Sequence, residues 1–313
     1  MNWTGHVINI RRPLPAVEEP IFFIGMPRSG TTLMFEVFAA HPDLGWFSQY
    51  FTRFPRFPSV ALLSRLSDIN PRLRRRTERS DQPRRLLNRL RVGPTEAYAV
   101  WTQHCGSKFV EDFLVDTRAS TDERERLHAT VSSVLRYQGK PRFAAKITGP
   151  PRIGYLTSLF DDARFVHVIR DPRAVAQSLM RVRWWRDTSR LLAWRNVLPD
   201  DKFEMWERLG RPDVALAALE WLAVIRTARR EASQLASDRY REVRYEDFVS
   251  DPHATLDQLV SFCDLRHSAA PHEFLDLRFE IRNMNLESRH RFSAAEMRLF
   301  DDFAGDLLTD LGY

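Results

Sequence analysis

The stretch FFIGMPRSGTTL, residues 22–33, decides how this chain is read. Its first part is an apolar run ending on Gly25, the pattern of a parallel strand buried on both faces. Its second part is a short loop that runs into Gly30-Thr31-Thr32, where a helix is expected to begin and continue to about Ala40, before His41-Pro42. Gly25 and Gly30 have the spacing of a loop whose backbone N–H groups, with the helix N-terminus, cradle an anion. Arg28, Ser29, Thr31 and Thr32 add side-chain donors. In a nucleoside triphosphatase the second glycine is followed by a lysine for the β/γ-phosphates and a hydroxyl residue for Mg²⁺. Here Thr31 stands in the lysine's place, so the loop points to a single phosphate held without a metal.

Outward from this loop the pattern alternates strand and helix. RFAAKI (142–147), RFVHVI (164–169) and EVRYE (242–246) read as further strands. Helices are expected at about 96–105, 122–138, 151–160, 174–185 and 213–236. Two more follow, at 251–265 capped by Asp251 and at 293–313 capped by Ser293. The alternation predicts an α/β fold, a three-layer α/β/α arrangement with a central parallel sheet. Ligands of such sheets bind at the carboxyl ends of strands, where Gly25 and Arg170 both fall. IRDPRAVAQS (169–178) is a second constellation: Arg170 leaves a strand end, Pro172 opens a helix, and Ser178 lies two turns along it. Arg170 and Ser178 could converge on a second phosphate.

Composition narrows the class. The 313 residues carry a net charge of +6, and all but four of the 47 basic residues are arginine. Arginine forks suit phosphate and sulfate oxygens. No apolar run reaches the ~18 residues of a membrane span, and the first twenty residues lack the apolar core of a secretory signal. Cys105 and Cys263 are read as buried free thiols, which favours a reducing, cytoplasmic compartment. Residues 51–95 change character: aromatics, prolines and arginines alternate, and 65–91 holds ten arginines against Asp68, Glu78 and Asp81. This reads as a basic, helical insertion or cap on one domain spanning 1–313, either a lid or a solvated basic helix pair.

PRSGTT after a strand, together with RDPRAVAQS further on, resembles the sulfotransferases that use 3′-phosphoadenosine 5′-phosphosulfate (PAPS). VRYEDFVSDPHATLDQLVSFCDL and the terminal LGY extend the resemblance to both ends of the chain, while 48–100 stays unmatched. GMPRSGTTLM with AHPDL is similar to the branch holding bacterial and protein-tyrosine sulfotransferases. The resemblance implies that Arg28, Ser29, Gly30, Thr31 and Thr32 contact the 5′-phosphate. It also implies that Arg170 and Ser178 contact the 3′-phosphate. Tyr245 matches a tyrosine beside the nucleotide, against the plain reading of a half-buried strand tyrosine. Arg289 and His290, in ESRHRF, match a basic loop over the 3′-phosphate.

Sulfuryl transfer is an in-line attack on sulfur with charge building on the oxygen that joins sulfate to phosphate, and a positioned cation can stabilise it without metal. Lys146, at a strand end, matches the lysine that approaches this oxygen. The acceptor hydroxyl needs a base within ~3 Å. Some relatives place a histidine soon after the lysine, where this chain has Thr148 and Gly149. The tyrosyl-protein type has a glutamate after its HP segment, where this chain has Ser48 and Gln49. Glu96 is the chosen base, against the plain reading of an acid in a helix first turn. His104, Glu111 and Asp112 are alternatives, and His41 and His167 are read as structural. Trp184, Trp185 and Trp194 are read as acceptor-facing walls or core. The acceptor, whether carbohydrate, lipid or small molecule, is not legible, and a homo-oligomer stays open. A P-loop nucleoside or sugar kinase, and behind it a nucleic-acid-binding protein, are the competing readings.

Overall fold

β1 (Ile21–Gly25) has every residue buried, and it lies at the middle of a five-stranded sheet. The computed structural model describes residues 14–69, 73–74, 92–186, 194–285 and 292–313. After β1 come α1 (Thr31–Phe38), β2 (Leu44–Gly45), α2 (Gln49–Arg53), a 3₁₀ turn at Pro58–Ser64 and α3 (Arg65–Ile69). β3 (Arg142–Thr148), β4 (Arg164–Ile169) and β5 (Tyr240–Arg244) complete the sheet, in the order β2-β3-β1-β4-β5 and all parallel. The expected α/β fold with a central parallel sheet is what forms.

Strand alternation sends neighbouring side chains into two separate cores. Phe22, Ile24, Phe143, Ala145, Ile147 and Phe165 face the Tyr98–Cys105, Thr121–Gln138 and Ile153–Leu159 helices. Ile21, Phe23, Ala144, Val166 and Val168 face α1 and the Tyr245–Ser250 and Pro252–Phe262 helices. Each fully buried Phe or Ile contributes ~1.5–3 kcal/mol over its exposed state, so the double burial of β1 fixes it at the centre. A third core joins the Asp213–Ala232 helix to the Pro172–Leu179 and Ala294–Leu311 helices.

The expected helix starts carry their caps. Asp251 accepts from the Ala254 N–H, and Ser293 and Glu296 form a reciprocal capping box. Two departures from the expectation change the kind of element. The strand expected at 242–246 runs from Tyr240 to Arg244, and Tyr245 opens a helix instead. Glu246 and Asp247 in its first turn favour the helix through the dipole, which outweighs the alternating apolar pattern. The helix expected at 174–185 runs over Pro172–Leu179 and is followed by a separate 3₁₀ turn at Arg183–Arg186. Residues 48 and 94 pair as an antiparallel bridge, so the basic segment leaves and rejoins the sheet edge at one place. Most of its arginines, and Arg289 and His290, lie outside the described residues. Cys105 and Cys263 are buried free thiols whose pKa burial pushes up, to about 11 and about 12.

Candidate active site

The loop after β1 needs both of its glycines. At Gly25 (φ +151°) a Cβ would stand 2.5 Å from the Val168 carbonyl oxygen of the neighbouring strand. At Gly30 (φ +89°) it would stand 2.4 Å from the Tyr245 ring. Arg28, between them, also adopts a left-handed backbone (φ +74°), a conformation that costs a non-glycine residue ~1–3 kcal/mol. The Ser29 N–H donates to the Met26 carbonyl and closes the curl. Gly30 gives α1 no side-chain cap, and the first intrahelical bond is Met34 N–H to Gly30 O. The earlier N–H groups of the first turn are thereby left for an anion.

Two cavities meet at this loop, sharing Arg28, Thr31 and Thr32. The cavity on the β4 side measures about 610 Å³ and includes Gly30, Arg170, Gln177, Ser178, Tyr245 and Arg282 in its lining. The other measures about 830 Å³ and holds Glu96, Tyr98, Lys146, Thr148, Trp185 and Trp194 among its walls.

The β4-side cavity rests on a buried polar lattice. Arg170 is 7% exposed; its Nε donates to Asn285 Oδ1 (2.7 Å), its Nη1 donates to the Arg28 carbonyl (2.9 Å), and its guanidinium lies 4.2 Å from the Tyr245 ring centroid. Burial pulls its pKa down, yet an arginine starts so high that the charge persists. Asn285 Nδ2 donates to Glu246 Oε1 (2.6 Å), which also receives the Asp171 N–H (3.0 Å), while the Tyr313 hydroxyl donates to Glu246 Oε2 (3.0 Å). Tyr245, expected beside the nucleotide, is a buried helix-start residue whose hydroxyl donates to the Arg282 carbonyl (3.2 Å). Ser178 accepts from Arg28 Nε (2.8 Å). The arginine thus bridges from the loop to the second constellation, a link that sequence reasoning missed.

The larger cavity is organised by β3. Ala144, Lys146 and Thr148 alternate onto the α1 face of the strand, which aims Lys146 at the start of α1. Its ammonium donates to Thr32 Oγ1 (2.6 Å) and lies 3.2 Å from Glu96 Oε1. Thr148 Oγ1 donates to the same carboxylate oxygen (2.7 Å). Glu96 precedes its helix, which begins at Tyr98, so it is not the first-turn acid of the plain reading. The Trp101 indole N–H donates to the Glu96 carbonyl (3.1 Å) and fixes its backbone. Tyr98 donates to the Thr148 carbonyl (2.7 Å), and burial raises its pKa, so this hydroxyl keeps its proton.

The other candidates separate. Glu111 and Asp112 line the cavity. His104 pairs with Thr130 on the far helix, and His41 sits against the Arg266 carbonyl. His167 is buried in β4 against the Tyr240 hydroxyl (2.6 Å), and burial lowers its pKa to about 4. Trp185 and Trp194 are cavity walls as well as core, tied by their indole N–H groups to Glu220 Oε2 (2.5 Å) and to the Glu111 carbonyl (2.8 Å). The side chain of Trp184 is outside the described residues. Thr148, Asn285, Glu246 and Glu220 went unread. For Thr148 a signal existed, since it stands two residues after Lys146 and so on the same strand face.

The sequence profile of the sulfotransferase family matches residues 20–269. Mouse carbohydrate sulfotransferase 5 is 26% identical over 171 residues, 48% of this chain and 41% of that protein, so the chain aligns with under half the length of this relative. The crystal structure of sulfotransferase STF9 from Mycobacterium avium superposes with a TM-score of 0.57 at 19% identity, over 96% of this chain and 77% of that one. Sulfotransferase STF1 from Mycobacterium tuberculosis H37Rv gives 0.51 at 15% identity, over 93% and 77%. These two likenesses concern the fold.

Proposed function

The chain belongs to the sulfotransferase family, and on that premise we propose that it moves the sulfuryl group of PAPS onto a hydroxyl of an acceptor. The observation that carries the reading is the Lys146–Thr32–Glu96 cluster at the junction of the two cavities. A donor needs one cavity, an acceptor the other, and the reacting groups must meet between them.

The residues fit such a donor. The uncapped start of α1, with Arg28, Ser29, Gly30, Thr31 and Thr32, suits a 5′-phosphate, and the buried Arg170 with Ser178, to which Arg28 Nε donates, suits a 3′-phosphate. The donor supplies a sulfuryl group on a phosphate oxygen. Glu96 takes the proton of the acceptor hydroxyl as its oxygen bonds to sulfur. Lys146 and Thr32 stabilise the negative charge left on the oxygen whose bond to sulfur breaks. Electrons and charge balance with no further reactant. Free buried thiols support the reading of a reducing, cytoplasmic setting.

A P-loop kinase predicts tight ATP–Mg²⁺ binding, and its lysine would follow Gly30, where Thr31 stands. Calorimetry with 3′-phosphoadenosine 5′-phosphate, 5′-AMP and ATP–Mg²⁺ decides between the two. The bisphosphate is expected to bind at least ~tenfold tighter than 5′-AMP, since each charge-assisted contact contributes ~1.5–3 kcal/mol. Equal affinities, or preference for ATP–Mg²⁺, would overturn the proposal.

A further inference from the structure

The segment from Arg53 to Ile69 is folded with its polarity reversed. On the 3₁₀ turn and α3 the buried positions are Ala61, Ser64 and Ser67, spaced by three and at most 3% exposed. Ser64 accepts from Gln138 Nε2 (3.0 Å), and the Ser67 hydroxyl donates to the Ser64 carbonyl (2.5 Å). The positions turned to solvent carry the apolar bulk: Leu63 (39% exposed), Leu66 (45%) and Ile69 (63%), also spaced by three. Just before them, in the repeat Arg-Phe-Pro-Arg-Phe-Pro (53–58), Phe54 is 49% and Phe57 62% exposed. Five large apolar side chains thus crowd one short segment that buries its serines instead. A chain folding only for itself would place them the other way round, so this face is built to be covered.

The charges on the face favour one kind of cover. Arg53 and Arg56 are exposed, each next to one of the exposed phenylalanines. The acid of the segment, Asp68, is already engaged by Lys140 (2.8 Å) and Arg74 (3.8 Å). A second copy packed symmetrically here would bring like-charged guanidiniums together, which is costly. A bilayer with anionic headgroups meets both needs: rings and leucines enter the boundary of the acyl chains while arginines reach the phosphates. The anchorage is firm, because the Ser48–Pro94 bridge and the Gly93 N–H to Gln49 Oε1 bond (3.0 Å) clamp the root of the segment.

We propose that the Phe54, Phe57, Leu63, Leu66 and Ile69 face docks the protein peripherally on an anionic phospholipid surface. No described helix is long and apolar enough to cross a membrane, and docking needs none. The proposal stands whether or not PAPS is the donor.

Co-sedimentation of the full chain with vesicles tests it. Mixed phosphatidylcholine–phosphatidylglycerol vesicles are expected to bind at least ~tenfold more protein than phosphatidylcholine vesicles, and the double substitution Phe54→Ser, Phe57→Ser to lower that binding ~tenfold or more. Leu63→Gln with Leu66→Gln, on the separate helical turn, is expected to act in the same direction. Unchanged thermal unfolding checks that each variant is folded. Mixed-vesicle binding that survives both variants is mere basic adhesion and overturns the docking face. So does an absence of vesicle binding, with or without a concentration-dependent dimer that the variants dissolve.

Discussion

The two cavities either side of Thr31 and Thr32 are built on opposite plans. On the β4 side, functional side chains are locked by other side chains: Arg170 by Asn285 and Tyr245, Asn285 by Glu246, and Glu246 by Tyr313. On the Lys146 side, the stretches at 110–112 and around Pro150 are pinned through their backbones, while Trp185 is held by the Glu220 side chain. Arg152 donates to the carbonyls of Asp112 (3.0 Å), Pro150 (2.7 Å) and Val110 (3.1 Å), and Trp194 donates to that of Glu111. A lattice of side chains fixes one ligand shape, whereas backbone-pinned loops hold their position and leave their side chains free to differ. That division suits a protein that holds one ligand in a single shape and specifies the other less closely.

If the division is right, damage to the reacting cluster and damage to the lattice should separate in kinetics. Lys146→Ala is expected to cost the most, a fall of ~10²–10³ in kcat from loss of the charge facing the leaving oxygen. The variant should still bind 3′-phosphoadenosine 5′-phosphate, with an affinity loss in calorimetry far smaller than the loss in kcat. Retained turnover would remove Lys146 from the chemistry. Glu96→Gln keeps the Thr148 contact and removes the proposed base, for an expected loss of ~10² or more in kcat. If Lys146 and Glu96 act on one event, the double variant should lose much less than the product of the single losses. Multiplying losses would mean the pair does not work as a unit.

On the lattice side the expected signature is affinity. Arg170→Ala removes a buried, charge-assisted contact and leaves Asn285 Oδ1 without that donor, so bisphosphate binding should weaken by ~2–3 kcal/mol. Binding of 5′-AMP should change far less, and an equal loss for both nucleotides would break the assignment of Arg170 to the 3′-phosphate. Gly30→Ala should act on the fold as well as the site: a methyl group 2.4 Å from the Tyr245 ring, in a left-handed conformation, is expected to lower unfolding free energy by ~1–3 kcal/mol. Chemical denaturation measures it, and an undiminished midpoint would show that Tyr245 yields.

The same contrast explains what was legible in the sequence. The loop after β1, the positions of Arg170 and Ser178 and the four long strands are legible because each lies in one contiguous motif. Lys146 and Glu96 could be named, but only the structure shows that strand alternation and the Thr148 hydroxyl bring them to 3.2 Å. Glu246 was passed over because its partners, Asn285 and Tyr313, are 39 and 67 residues away, and no local pattern joins them. Tyr245 reads as a strand residue by apolar alternation alone, whereas the two acids that follow it favour the helix start that forms. The reversed polarity of residues 61–69 is hidden for a related reason: serines and leucines both recur every three residues there, and spacing alone does not say which set faces inward.

Ser178 makes the finest test of the lattice, because its smallness limits the effect. Its hydroxyl accepts from Arg28 Nε (2.8 Å), and Arg28 sits in a strained left-handed conformation between the two cavities. If Ser178 contacts the 3′-phosphate, Ser178→Ala should weaken the bisphosphate by ~0.5–1.5 kcal/mol and leave 5′-AMP binding and kcat intact. If instead it serves only to hold Arg28, whose side chain borders both cavities, the substitution should raise KM for the acceptor too and weaken both nucleotides alike. Parallel titrations with the two nucleotides separate these outcomes. A loss confined to the bisphosphate would place Ser178 with Arg170 as a second determinant of the donor's 3′ end. A shared loss would make it a support of the loop that both cavities use.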